Sequence, residues 1–354
     1  SQFNVNDLRA DIMGDFFKRN DIDEEIEKES IGYWIQDLQK SSKLLMIIKT
    51  AAFNRLYGIS FLGAIDYSDQ NELTKKERNR AIHSLYVAGI ANYVATKRNY
   101  NSDLKEHLVA AALLHDIGHM PLSHSAEPFI KEKFGYGHHE LGNNLISGTC
   151  WVDSGLSKAL NKNFDVSFIK GLLNFELKTD GHDIFSNKIN ADTIDGIVRC
   201  IEYKGKNKAN HLNRISIAKA AFLDNIDMTE NKRLQILDNF WNTKHFVYQN
   251  FINTKHSVIS DKISQIFFME NKKIAYKNLL SDERRWREQY KLLFKWLSNL
   301  KSNSIPHCLK NYEMIYTTRN YKVLKTEKDI KKRYTNNKNK AKISEDSLLK
   351  YREE

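Results

Sequence analysis

Proline and cysteine are scarce in this chain of 354 residues, which contains three of each. Cys150, Cys200 and Cys308 are far apart and form no CxxC pair, so they fit neither a disulfide framework nor a cysteine-based zinc site. Long apolar runs are also missing, because none approaches the roughly 18–20 residues that span a bilayer. The first residues lack the charged-then-apolar pattern of a signal peptide. We therefore expect a protein of the reducing cytoplasm that does not contact a membrane.

Acidic side chains are outnumbered, with 44 Asp and Glu against 55 Lys and Arg, for a net charge of +11. Such an excess favours an anionic ligand, for example a nucleotide, a nucleic acid or an acidic lipid. A lysine-rich solvated surface accounts for the charge equally well. Charge alone does not choose between the two interpretations.

Apolar residues recur at helical spacing along most of the chain, and the few prolines leave these stretches uninterrupted. Residues 79–97, 102–119, 192–203 and much of 220–300 show this pattern. In the second stretch, Leu104, Leu108, Ala111 and His115 lie on one face, so His115 continues a buried stripe. The sequence therefore predicts a mainly α fold.

The composition changes near residue 312. The stretch "YEMIYTTRNYKVLKTE" predicts a small β-hairpin that turns around Arg319-Asn320. Residues 328–347 are rich in lysine and asparagine, which is typical of a flexible or partner-ordered tail, or of a solvated surface segment. We divide the chain into a helical extension (1–45), a core (46–270) and a C-terminal region with hairpin and basic tail (271–354).

The stretch "LLHDIGHMPLSH" (113–124) places several metal-capable side chains at the end of an apolar helix. A divalent ion needs neutral imidazoles and ionised carboxylates that converge from rigid elements. Neighbours on a helix diverge by about 100°. His115 and Asp116 therefore reach one ion only where the helix frays or where the ion lies between helices. Gly118 allows the helix to end, and Pro121 prevents it from continuing.

Two ligands do not hold a metal, and further candidates lie far away in the sequence. His83 lies on an otherwise apolar helix face, and Asp192 and Asp195 share a helix. Taken singly, each has an ordinary explanation: a hydrogen-bonded core histidine, or an aspartate that caps a helix. Only the combination points to a metal site.

A histidine, a His-Asp pair and a distant aspartate form the pattern of the HD phosphohydrolases. The sequence resembles that superfamily at His83, His115-Asp116 and Asp192. Within it, the chain is most similar to the dNTP triphosphohydrolases, which include the bacterial dGTPases and the vertebrate sterile-alpha-motif HD dNTPase. Flanking segments carry this narrower resemblance, which covers roughly 45 to 270: 53–65, 79–89, 115–127, 138–142 and 240–263.

The resemblance implies a helical HD bundle with additional C-terminal helices. It also implies one divalent ion, whether Mn, Mg, Fe, Co, Ni or Zn, that activates water to split a dNTP into deoxynucleoside and triphosphate. The implied metal ligands are His83, His115, Asp116 and Asp192. The implied catalytic residues are His124, Glu127 and His119, with His124 as proton donor or nucleophile-positioning group and Glu127 orienting it. The implied phosphate contacts are Arg80, His139, Lys244 and Lys255.

Four positions depart from the family where it meets the sugar: Thr193, Gly196, Cys200 and Ile252. The substrate therefore stays open. The alternatives are a phosphodiesterase or nuclease acting on oligonucleotides or single-stranded nucleic acid, and a nucleotide-binding sensor. The resemblance to the family also implies a homo-oligomer. We expect the histidines without a motif position to have a structural role or to lie at the surface: His138, His182, His211, His245, His256 and His307.

Overall fold

The computed structural model describes residues 28–69, 78–150, 155–203, 212–224, 227–271 and 274–353. Helices dominate this part of the chain, which confirms the mainly α prediction. In the first half they are α1 (Ile31–Leu38), α2 (Ser42–Ile48), α3 (Ala51–Arg55), α4 (Ile65–Ser68), α5 (Arg80–Lys97), α6 (Ser102–Leu114), α7 (Glu127–Phe134), α8 (His138–Ser147), α9 (Leu156–Asn163) and α10 (Val166–Leu173).

The second half continues with further helices and four short strands. The helices are α11 (Asp183–Ser186), α12 (Ala191–Glu202), α13 (Arg214–Phe222), α14 (Glu230–Val247), α15 (Lys255–Asn271), α16 (Glu283–Gln289), α17 (Lys291–Asn299), α18 (Ile330–Arg333) and α19 (Glu345–Leu348). The strands are β1 (Ser304–Ile305), β2 (Ile315–Val323), β3 (Tyr334–Lys342) and β4 (Arg352–Glu353). Strand β1 pairs parallel with β4, and β2 pairs antiparallel with β3. Within the described ranges, no helix is both long and apolar enough to cross a membrane.

Helix α5 forms the centre of the core, and every residue from Arg80 to Ala95 is buried. Helices α6, α1, α12 and α13 pack around it. Gly89 permits the close crossing of α1, because a Cβ at this position would lie 2.8 Å from Ile35 Cγ1. The side chain of Asn79 caps the helix by accepting a hydrogen bond from the Ile82 amide. Helix α5 thus carries Arg80 and His83 in the protein interior.

Helix α6 ends at Leu114, so His115 and Asp116 lie just beyond its last turn. The helix end that Gly118 and Pro121 predict is therefore confirmed. Gly118 has a second role, because a Cβ there would collide with the backbone of His138 and Gly142. Only glycine lets the turn after α6 approach the start of α8 this closely.

The C-terminal hairpin differs from the prediction in its register. Arg319 and Asn320 lie in the middle of β2, opposite Lys338 and Asn337, so the predicted turn is wrong. The connection is instead residues 324–333, and the lysine-rich segment forms β3. The apolar anchors are few, which explains the error: Tyr321 and Tyr334 pack against Trp241 of α14, with ring centroids 5.3 and 5.5 Å apart.

The proposed domain boundaries stay a prediction. Residues 1–27 of the N-terminal extension lie outside the described residues. The described part of the extension contributes α1, which packs directly on α5.

Candidate metal centre and adjacent histidine cluster

Four side chains from three elements converge at one point, and we term them the metal cluster: His83 of α5, His115 and Asp116 after α6, and Asp192 in the first turn of α12. His83 Nε2 lies 2.8 Å from Asp192 Oδ1 and 3.2 Å from His115 Nε2. Asp116 Oδ2 lies 3.5 Å from His83 Nε2 and 3.4 Å from His115 Nε2. His115 Nε2 lies 3.4 Å from Asp192 Oδ1.

These separations fit a divalent cation. With metal–ligand distances of about 2.1 Å, neighbouring ligand atoms of a tetrahedral or octahedral ion lie about 3.0–3.4 Å apart. The observed edges of 2.8–3.5 Å fall close to that range. Mixed nitrogen and oxygen donors suit several first-row metals. The geometry therefore favours one ion held by His83, His115, Asp116 and Asp192, without indicating which element it is.

The outer nitrogens of both histidines are already bonded to the protein. His83 Nδ1 lies 2.5 Å from Asp195 Oδ2, and His115 Nδ1 lies 2.7 Å from the Ala112 carbonyl. A partner of this kind fixes the tautomer and leaves the Nε2 lone pair for a metal. The sequence placed Asp195 on the same helix as Asp192 but assigned it no role.

Two buried guanidinium groups hold Asp195 in turn. Arg199 Nε donates to Asp195 Oδ2 at 2.9 Å, and Arg214 Nε donates to Oδ1 at 2.8 Å. Burial opposes ionisation of Asp195, but Arg199, Arg214 and His83 hold its pKa well below the usual range. A fully buried carboxylate thus stays charged behind the metal cluster.

Asp116 is oriented by Arg80. Arg80 Nη1 donates to Asp116 Oδ2 at 2.9 Å, Nε donates to Ser123 Oγ, and Nη2 donates to the Phe61 carbonyl. The guanidinium also lies 4.6 Å from the centre of the Phe61 ring. Arg80 therefore positions Asp116, and its contact with phosphate stays a prediction.

The pKa of His115 bears on how this site would bind a metal ion. Burial alone would lower the pKa of His115, but the carboxylates of Asp116 and Asp192 raise it to about 9. An incoming cation must therefore displace a proton, so metal binding should release protons at neutral pH.

A second group lies beside the first, and we term it the histidine cluster: His119, His124, Glu127 and His138. Their side-chain donor atoms lie within 4.8 Å of one another. Glu127 Oε2 lies 2.7 Å from His138 Nδ1 and accepts a hydrogen bond from the His138 amide at 3.1 Å. His124 Nδ1 is 3.6 Å from Glu127 Oε1, which is too long for a hydrogen bond. His138, for which the sequence predicts a structural or surface position, is thus bound to Glu127 within this cluster.

The rings of His119 and His138 are stacked, with centroids 4.2 Å apart and planes inclined by 15°. Stacked imidazoles direct their in-plane lone pairs side by side rather than towards one point. Burial, reinforced by the charge of Arg80, lowers the pKa of His119 well below its ordinary value, so this imidazole is neutral. The arrangement suits proton transfer and substrate contact better than metal binding.

A cavity of about 350 Å³ opens onto both clusters. Its polar wall includes Arg80, His115, Asp116, His119, His138 and Asp192. Leu173, Phe175 and Phe185 contribute an apolar wall. Concave sites of this size with a few convergent polar groups are typical of small-molecule binding.

The other predicted phosphate contacts lie in different places. His139 lines the cavity, whereas Lys244 and Lys255 are not among its described lining residues. Lys244 is buried on α14, with Nζ 4.7 and 4.5 Å from the ring centres of Trp241 and Tyr321. Lys255 Nζ donates to Ser347 Oγ at 3.1 Å. Contacts of these residues with phosphate remain predictions.

The positions that depart from the family have local structural roles. Thr193 closes a capping box with Asn190, accepting from the Asn190 amide at 3.2 Å. A Cβ on Gly196 would lie 3.5 Å from Phe61 Cζ, and Cys200 is buried. None of the three belongs to the described cavity wall.

Comparison with known proteins agrees with this geometry. Residues 80–165 match the HD domain family. His115-Asp116 lies within the matched range.

Relatives named deoxyguanosinetriphosphate triphosphohydrolase-like protein are 36% identical over 109 residues in Rickettsia typhi and 40% over 108 residues in Rickettsia canadensis. These alignments cover 28% of this chain and 25–26% of the relatives, so the chain matches about a quarter of their length. A solved hypothetical protein from Aquifex aeolicus aligns with a TM-score of 0.56 at 16% identity, covering 80% of this chain and 82% of its own. It shares the fold, and the curated relatives confirm the predicted family resemblance.

Proposed function

We propose that this protein is a metal-dependent phosphohydrolase that splits dNTPs into deoxynucleoside and triphosphate. The observation that carries the proposal is the convergence of His83, His115 and Asp192, with Asp116 Oδ2 3.4 Å from His115 Nε2, beside a cavity of about 350 Å³. The names of the curated relatives support a dNTP as substrate. Residence in the cytoplasm and assembly into homo-oligomers remain predictions, and the ion is any of the six divalent metals named above.

His83, His115, Asp116 and Asp192 would hold the ion, and Arg80 and Asp195 keep those ligands in orientation. When bound there, a divalent ion polarises a phosphoryl oxygen and lowers the pKa of a coordinated water. Asp192, whose side chain is 58% exposed, lies on the solvent side of the cluster, where substrate must enter.

The histidine cluster would donate a proton to the leaving group. Glu127 binds His138 Nδ1, so Nε2 is the nitrogen left to face substrate in the cavity. A carboxylate behind an imidazole orients it and stabilises its charged form. We therefore assign proton donation to the 5′-oxygen to His138 with Glu127. His119 and His124 flank this pair and contact its ring.

The test is a substrate and metal matrix. Purified protein is incubated with each of Mn²⁺, Mg²⁺, Fe²⁺, Co²⁺, Ni²⁺ and Zn²⁺, and with dNTPs, NTPs, cyclic dinucleotides or labelled single-stranded DNA. We expect triphosphate release from dNTPs, lost in His115→Ala together with bound metal and retained in His307→Ala, whose side chain is 62% exposed. Degradation of single-stranded DNA while the dNTPs stay intact would contradict the proposal and indicate a nuclease. Nucleotide binding without turnover would indicate a sensor.

A further inference from the structure

The charge of this protein is concentrated in one small element. Residues 315–342, which comprise β2, the connection with α18, and β3, form what we term the basic ribbon. It contains eight lysines and two arginines against Glu327 and Asp329. Ten cations less two carboxylates give +8, out of +11 for the whole chain. The rest of the protein is nearly neutral, so a uniformly lysine-rich surface does not explain the excess.

The strand register gathers cations on one face of the ribbon. Arg319 lies opposite Lys338, and Lys340 and Lys342 follow on the same face because alternate residues of a strand point the same way. All four are exposed. Like charges placed directly opposite each other destabilise a strand pair. A face built this way is favourable only if something else neutralises it.

The protein itself supplies little of that neutralisation. Lys342 Nζ lies 3.9 Å from a carboxylate oxygen of Glu313, and both side chains are exposed. Across the ranges that the structure describes, Arg319, Lys338 and Lys340 form no ion pair. The cation Arg333 contrasts with them, because it is buried and bound at 2.6 Å by Asp238. The ribbon therefore has one structural cation and an outer row of uncompensated ones.

We propose that this face binds the phosphate backbone of a nucleic acid. Alternate residues on a strand are about 6.8 Å apart. Lys338, Lys340 and Lys342 thus form a regularly spaced row of cations that can neutralise phosphates along one strand.

The neighbouring side chains favour nucleic acid over a lipid surface. Asn336 lies on the same face as Lys338, and its exposed amide group can donate to and accept from sugars and base edges. Of the apolar side chains in the ribbon, only Ile315 and Leu324 are exposed, at 40% and 44%, and they lie at opposite ends of β2. Stable interfacial binding to a membrane needs buried apolar area in addition to charge.

The ribbon also leads towards the cavity. Lys188, four positions before Asp192, donates through Nζ to the carbonyls of Lys331 and Tyr334, which joins the ribbon to the segment before α12. Tyr321, next but one to Arg319, holds Lys244 against its ring. Burial and then the charge of Arg319 lower the pKa of Lys244 to about 8, while Asp192 raises it. Lys188 and Lys244 thus connect the ribbon to the segment before α12 and to α14.

The experiment measures binding without hydrolysis. Fluorescence anisotropy follows a labelled single-stranded oligonucleotide of about 20 nucleotides and its duplex, in chelator, from roughly 50 to 200 mM salt. The variant is Arg319→Gln/Lys338→Gln/Lys340→Gln. The matched control removes three other exposed lysines: Lys43→Gln/Lys49→Gln/Lys158→Gln. We expect the ribbon variant to bind roughly tenfold or more weakly, with a log–log salt slope smaller by about two for the single strand. The control should change the affinity by less than about twofold.

Three results would overturn the inference: no oligonucleotide binding at the lowest salt, equal losses in the ribbon and control variants, or binding to phosphatidylserine vesicles in place of both oligonucleotides. Equal melting temperatures of the two variants exclude a folding defect. The outcome is separable from the proposed hydrolysis, because His115→Ala should abolish turnover and bind oligonucleotide as the unmodified protein does.

Discussion

The metal cluster and the histidine cluster share one cavity but are held in different ways. His83 is anchored on the central helix and backed by Asp195, Arg199 and Arg214, all of them buried. The histidine cluster follows a tight turn in which Leu122 and Ser123 adopt left-handed backbone, with φ of 62° and 50°. Such residues persist only where the surroundings impose the conformation. One site is fixed by charge inside the core, and the other by hydrogen bonds around a strained turn.

This difference fits the roles proposed for the two sites. Metal ligands must converge within a few tenths of an ångström, and buried ion pairs behind them supply that rigidity. A proton-transferring imidazole must instead reach a substrate atom, so it lies at the cavity wall with one nitrogen held. The predictions below separate the two sites, beginning with the largest effect.

Asp195→Asn should damage the metal cluster most, although the residue touches no metal. The variant leaves Arg199 and Arg214 without a full counter-charge in the core and frees His83 Nδ1. We expect metal affinity to fall about 10–100-fold and the free energy of unfolding to fall by about 3 kcal/mol. Metal titration and chemical denaturation measure the two. Asp103→Asn is the control, since its carboxylate also faces a histidine but is 84% exposed. Unchanged metal affinity in Asp195→Asn would show that the buried charges behind His83 do not support the metal cluster.

His138→Asn should lower kcat about 100-fold and leave the metal content unchanged. His124→Asn is the matched comparison, and we expect about tenfold or less, because its ring is 60% exposed and 3.6 Å from Glu127. If His124→Asn proves the more harmful, Glu127 serves His124 during the reaction and the assignment to His138 fails.

Glu283→Gln tests the support of the strained turn. The buried Glu283 carboxylate accepts from the Leu122 and Ser60 amides, both at 2.7 Å, and from the Tyr67 hydroxyl at 2.6 Å. An amide accepts fewer bonds, so we expect about 1–2 kcal/mol lower stability and about tenfold lower kcat at constant metal affinity. Glu288→Gln, on the exposed side of the same helix, should change neither. A loss of stability with unaltered kcat would make Glu283 purely structural.

Lys244→Met should have the smallest effect, and it acts on stability. Burial, reinforced by Arg319, lowers the Lys244 pKa from 10.5 to about 8, so below pH 8 the folded protein keeps a charge that burial disfavours. At pH 7 we therefore expect the free energy of unfolding to be about 1–2 kcal/mol higher for the variant than for the unmodified protein. This figure already allows for the lost contacts of Lys244 with Trp241 and Tyr321.

The advantage of the Lys244→Met variant depends on pH in a defined window. Between pH 8 and 10.5 the unfolded chain binds the Lys244 proton more tightly, so the stability of the unmodified protein rises and the advantage of the variant shrinks. Denaturation curves at pH 7, 9 and 10.5 check this. A constant difference at all three would show that the Lys244 pKa is not shifted.

Much of the site could be predicted, because its signals are local. The helix that ends before His115-Asp116 follows from an apolar stripe, a glycine and a proline in one short stretch. His138 shows the opposite case. It lies eleven positions from Glu127 with no motif between them, and it reaches that carboxylate because Gly118 lets α8 approach the turn. The strand β3 was missed for a similar reason, since only Tyr334 anchors its start in the core.

The sequence by itself determined the helical class, the four metal-ligand candidates and the HD resemblance, because periodicity and residue chemistry are written along the chain. Only the tertiary structure decided that Asp195 backs His83, that Arg80 holds Asp116 and that Glu127 pairs with His138. It also decided that scattered lysines share one face of the ribbon. Those relations join residues far apart in the chain, and packing and strand register alone set their distances.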